Sequence, residues 1–229
     1  MKKTILSLAL ALCAGSVYAD PTAVLQVDGK LTNSSCTPEF TNGGIIDYGY
    51  VRLGELSATE TNQLGQKKID LNIHCISPTK IAWTIVDDKA DTMATGITIK
   101  NAFYDGSSTN ATKGGNWTFG VGKTAGGVAI GAYSAFIDAG NVLADTNKVR
   151  VIYQQGSGMS WGAGAAYYLQ GDNYKSWSVA TTTGAIEPLA VSSVTFPIVT
   201  SLAIQDTTTL AISDDTNLDG QLTVNLRYL

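Results

Sequence analysis

One histidine, His74, and three cysteines are all that 229 residues offer of the side chains that usually carry metal and redox chemistry. A lone imidazole cannot build a histidine-based metal site, and no CxxC spacing exists to suggest zinc or a redox dithiol. No nucleophile is matched to His74, so the one imidazole supports no hydrolytic triad. Charge is also scarce: 15 Lys and Arg stand against 19 Asp and Glu, a formal net charge of −4. The basic residues are nowhere clustered, which argues against nucleic acid or an anionic membrane surface as partner. No phosphate-cradling loop and no paired-acid constellation appears. These absences point away from an enzyme and imply no cofactor. After the first twenty residues no apolar stretch is long enough for a membrane helix.

What is present begins with Met1–Ala19. Lys2 and Lys3, an apolar run from Ile5 to Ala14, and Val17-Tyr18-Ala19 have the layout of a secretory signal, too short to span a bilayer. Cleavage after Ala19 leaves residues 20–229 as one domain and takes Lys2, Lys3 and Cys13 away, so the formal charge moves from −4 to −6. Cys36 and Cys75 remain, an even pair in an exported chain, and a disulfide is the default expectation. Closing a loop of that size stabilises the fold by roughly 3–4 kcal/mol in the chain-entropy model.

Periodicity assigns the class. Leu222, Val224, Leu226 and Tyr228 recur every second residue up to Leu229, after the turn Asp219-Gly220. That is a half-buried strand, and so apolar a terminus must dock in its own sheet or against a partner that adds to the sheet. Ala23–Leu31 reads as a strand with Leu25, Val27 and Leu31 on one side. A short strand is expected around Ile45, Tyr48, Val51 and Leu53. Two more follow, residues 69–75 and 80–86, joined by a turn at Ser77-Pro78. Residues 87–127 are rich in Gly, Asn, Ser and Thr, with brief strand candidates at 96–103 and 117–121, and 154–171 is a second glycine-rich stretch. Longer strands are expected at 127–137, 148–153, 174–181, 190–196 and 198–205, the last two divided by Pro197. Ala139–Asn147 is the best short helix candidate. Many short strands with turn signals between them predict an all-β sandwich or barrel.

The N-terminal third then becomes specific. Gly29-Lys30-Leu31-Thr32-Asn33-Ser34-Ser35-Cys36 resembles the opening of chaperone–usher fimbrial (pilin) subunits, in which a glycine precedes the first cysteine by the same interval. Ile46-Asp47-Tyr48-Gly49-Tyr50-Val51-Arg52-Leu53 is similar to the apolar-Gly-x-Val stretch those subunits carry next. Cys75 ends an alternating strand as their second cysteine does, and Tyr228 matches their penultimate tyrosine. The resemblance covers roughly 23–86 and 210–229. More narrowly, the segments 20–25 and 43–49 are similar to a little-characterised family of bacterial fimbrial-like exported proteins.

The resemblance implies an immunoglobulin-like sandwich that lacks its final strand, bridged by Cys36–Cys75, with an enlarged Gly-rich middle. It implies donor-strand complementation: a periplasmic chaperone lends a strand beside Leu222, Val224, Leu226 and Tyr228 and holds the Leu229 carboxylate. A neighbouring fimbrial subunit then replaces that strand at the outer-membrane usher, giving an exported fimbrium at the cell surface that supports adhesion. Only about three residues precede the first strand, spanning about 10 Å at ~3.3 Å per residue, so the family's N-terminal extension is missing. Either the segment with Val24, Leu25 and Val27 is itself donated, or the chain accepts a strand and gives none.

Three further sites come from the residues. Asp215–Gly220 has oxygen donors at alternate positions and Gly sixth, as in the first half of a calcium loop. Its twelfth position is Leu226, and a solvated turn is the better reading. Trp117, Trp161, Tyr167 and Trp177 lie in or near the Gly-rich middle, where they either pack the core or present faces to a host glycan or protein, the alternative of a stand-alone or tip adhesin. His74 is expected at the surface or in packing.

Overall fold

Strand β1 (Cys36–Phe40) lies antiparallel to β2 (Asn62–Asp87), and β2 organises the rest. This computed structural model describes residues 35–112, 115–164 and 167–229. In its first part β2 alternates, Ile69, Leu71 and Ile73 buried against Asp70, Asn72 and His74 outward. From Ile81 to Ile85 every residue is buried, because the chain has moved from a sheet with one wet face to a position covered on both.

Two leaves diverge from that single strand. The first part of β2 pairs with β1 on one side and on the other with β6 (Ala190–Ile204), which pairs in turn with β3 (Gly131–Ile137). The second part pairs with β7 (Leu222–Tyr228) and, through Trp177 opposite Trp83, with β5 (Lys175–Ala180), which carries β4 (Arg150–Gln155) beyond it. Every pairing is antiparallel, and the one α-helix among the described residues is Thr207–Leu210, capped by the Asp206 carboxylate accepting from the Thr209 N–H. The fold is all-β.

The two leaves share one core. Trp83 from the second packs edge-on against Phe196 from the first, ring centroids 5.2 Å apart, with Leu71, Ile73, Ile137 and Val179 in the same cluster. Each of these fully buried side chains stabilises the fold by ~1.5–3 kcal/mol through the apolar surface it removes from water.

Two prolines depart from expectation in an informative way. The sequence places a turn at Ser77-Pro78 and a break at Pro197, yet β2 and β6 run straight through. Pro78 falls where β1 has already ended at Cys75, β7 has not begun at Ile81, and β6 shifts register between Val191 and Ser193. No residue is registered against it, so its missing N–H is not required. The Pro197 carbonyl accepts from the Asp138 N–H, in the gap between the end of β3 at Ile137 and the two-residue partner Leu143–Ala144. Its ring nitrogen therefore faces a place where no ladder bond is due.

Other expectations are corrected. Residues 45–53 form no strand: the stretch is unpaired and closes in a 3-10 turn at Leu53–Glu55, with Ile45 and Tyr50 exposed. Within 96–103 and 117–121 only Thr98–Ile99 and Phe119–Gly120 are paired. Ala139–Asn147 is a 3-10 turn followed by a tight hairpin, Leu143–Ala144 against Asn147–Lys148. Left-handed backbone at two successive residues, Asp145 and Thr146, is incompatible with helix there. The expected leader, Met1–Ala19, and the expected strand carrying Val24, Leu25 and Val27 lie outside the described residues.

Candidate functional site

The disulfide fixes one wall of the site. Cys36 and Cys75 are cross-strand partners, their Cα atoms 4.0 Å apart, and the bond clamps β1 to β2 at the level where β7 ends. β1 and β7 lie end to end along the same edge of β2, and the Cys36 N–H donates to the Tyr228 hydroxyl at 2.8 Å across their junction.

β7 is hydrogen-bonded on one side only among the described residues, Leu222 to Tyr228 running against Asp87 to Ile81. Leu222, Val224 and Leu226 are half-buried and pack on the core, while Thr223 and Asn225 point out. The alternation fails at its end. Tyr228 is 51% exposed and Leu229 47%, whereas Arg227 is half-buried and donates from Nη2 to the Gln154 Oε1. The strand's start is well anchored: the Asp88 N–H donates to the Gln221 carbonyl, the Thr223 hydroxyl to Asp88 Oδ2, and Lys89 pairs with Asp219.

Beside that start the two leaves gape. A groove of about 350 Å³ opens there, its floor made by core residues such as Ile69, Ile85 and Ile198. One rim is Gln221 and Leu222, and the other is Phe40 with Ile46 and Tyr48 from the unpaired stretch after β1. Two phenols lend it a polar note. Tyr48 Oη lies 3.1 Å from the Thr200 hydroxyl, and burial pushes both the Tyr48 and Tyr133 phenols above their ordinary range, Tyr133 further through the nearby Asp87 and Asp88 carboxylates. Both stay neutral in water near pH 7. An apolar floor beside a singly paired strand is a surface to which a further extended segment can add.

The remaining sequence candidates separate. His74 is exposed on the outer face of β2. Asp219, in the half calcium loop, is held by Lys89, and no group of three or more metal-binding side chains occurs among the described residues. Trp177 is core, 1% exposed, on the same row as Trp83. Trp117 and Tyr167 join a ring cluster with Tyr168 and Tyr104 that sequence spacing could not reveal, since its members come from three separate segments of the chain. Trp161 precedes the short Gly162–Ala163 pairing and takes no part in it. Sequence reasoning missed Lys175, an ordinary lysine in a strand until its neighbours are seen.

Comparison with known proteins adds the lineage. Residues 25–134 match a family described as "Protein of unknown function (DUF1120)". Protein GltF of Escherichia coli (strain K12) is 32% identical over 228 residues, covering 90% of this chain and 87% of that protein. The uncharacterized protein YhcF of the same organism is 27% identical over 238 residues, covering 95% and 98%.

Proposed function

The chain belongs to the DUF1120 family, and from that starting point we propose that it is a fimbrial or fimbrial-like structural subunit, completed by a β-strand from another polypeptide. The groove beside β7 supports this reading most directly: an apolar floor lies open between a singly paired strand and an unpaired extended stretch. An entering strand would bond to the free edge of β7 and bury alternate side chains on Ile69, Ile85 and Ile198. The partners that fit are a periplasmic chaperone first, a neighbouring subunit afterwards, and the outer-membrane usher where the exchange occurs. Export and a cell-surface location follow from the same proposal, and the disulfide suits it.

Periplasmic co-expression with a chaperone of the chaperone–usher type tests it. Val224→Asp and Leu226→Asp should abolish co-purification, because each puts a charge on the face that meets the core. Asn225→Ala, on the wet face, should leave it intact. Hydrogen exchange on the purified chain alone supplies the counter-test. Outward amides of β7 already protected in a stable monomer would mean that the edge is closed from within, and the proposal would have to be dropped.

A further inference from the structure

Lys175 opens β5 only 3% exposed, its Nζ lying 3.7 Å from the ring centroid of Tyr168, 4.4 Å from Trp177 and 4.9 Å from Tyr153. No carboxylate and no hydrogen-bond acceptor meets it among the described residues, and burial draws its pKa down to about 8. Trp177 beside it contributes a second unpaired donor, a buried Nε1–H with no hydrogen bond. An unsatisfied buried donor costs ~1–3 kcal/mol, so this N–H, beside an ammonium with no hydrogen-bond acceptor of its own among the described residues, marks a place that an acceptor would suit.

Above this floor the rings stay partly open. Tyr168 meets Trp117 at 6.0 Å, and Tyr167 meets Tyr104 at 5.2 Å and Trp177 at 6.3 Å. Tyr104 is 44% exposed, and Trp117, Tyr167 and Tyr168 are half-buried. Tyr167 holds φ at +46°, a left-handed conformation that a bulky aromatic adopts only when its surroundings compel it. The result is that two successive rings serve different neighbours, Tyr167 turning to Tyr104 and Trp177 and Tyr168 to Trp117 and Lys175. Arg150 extends its positive field to Tyr167, while the acids of adjoining loops are engaged elsewhere, Asp138 by Lys68 and Asp172 by Asn116.

We propose that this patch binds a carboxylate-bearing sugar, of the uronic or sialic acid class. The C–H face of a pyranose rests on Tyr104, Tyr168 and Trp117, and its carboxylate supplies the acceptor that Lys175 and the Trp177 N–H lack. A cation covered by rings rather than water is weakly screened, so the patch prefers an anion over a neutral sugar. This site is separate from the groove beside β7 and does not depend on strand complementation.

The test is titration of the purified full chain with oligogalacturonate and with sialyllactose, against neutral galactose and lactose, by calorimetry and tryptophan fluorescence. The acidic sugars should bind at least about tenfold more tightly than their neutral counterparts, and Lys175→Met should remove that preference while Lys175→Arg keeps it. Tyr104→Ala, a change at an exposed ring that should not perturb folding, should weaken both acidic probes and leave chaperone capture unaltered. Should Lys175→Met fail to fold, the Tyr104→Ala result decides. Equal affinity for acidic and neutral sugars overturns the proposal, as does no binding up to about 10 mM. Undiminished binding by folded Lys175→Met, or an acidic peptide that binds as well as the sugars, overturns it too. Loss of chaperone capture with sugar binding intact would instead sink the strand-complementation reading alone.

Discussion

A glycine and a lysine illustrate how much single positions decide here. A Cβ on Gly131 would lie 2.3 Å from the Ala203 carbonyl oxygen and 2.9 Å from the Ile204 Cα, both backbone atoms of the paired strand β6. Gly131→Ala must therefore push β3 and β6 apart, and should lower stability by about 2 kcal/mol or more in urea unfolding. Lys175 gives a pH signature. Its pKa is near 10.4 in an unfolded chain and about 8 in the fold, so between those values the unfolded state holds a proton that the native state has released. Stability should rise with pH across that window and flatten in Lys175→Met, as thermal unfolding at successive pH values would show. The groups facing this ammonium are the rings of Tyr153, Tyr168 and Trp177, with no acid to reverse the sign. Above pH 10 the raised phenols of Tyr48 and Tyr133 pull the other way, since they hold protons in the fold that the unfolded chain loses.

Among the elements, β7 was the most legible and still held a surprise. Alternation predicted Leu222, Val224 and Leu226 inward, which the structure bears out, and Tyr228 inward, which it does not. Tyr228 ends the strand at its junction with β1, where its hydroxyl accepts from the Cys36 N–H, while Arg227 finds Gln154 on β4. Arg227→Ala should therefore cost about 1–2 kcal/mol, comparable with or greater than Tyr228→Ala, because it leaves the Gln154 oxygen without its partner. β1 depends on its bridge. Replacing Cys36 and Cys75 together by serine should lower stability by roughly 3–4 kcal/mol, read from chemical denaturation under oxidising conditions. The prolines show why strand continuity was hidden: a missing N–H breaks a strand only where a partner demands it, and demand is a property of the neighbours.

For the molecule as a whole, an open seam predicts that stability depends on what fills it. A synthetic peptide of about nine residues with alternating apolar positions should raise the melting temperature in a concentration-dependent way, following RT ln(1 + [L]/Kd), and a scrambled peptide should not. From the sequence alone come the all-β class, the Cys36–Cys75 pairing and the inward face of β7 up to Leu226. These are local matters: side chains alternate with period two, and once Cys13 is set aside with the expected leader, two cysteines allow one pairing. Which strand serves both leaves, where the groove opens, and that Lys175 and Trp177 lie together without an acceptor were decided by tertiary structure. Those features depend on residues far apart in the chain being brought to one place, and on where each strand runs out of neighbours, which no local periodicity records.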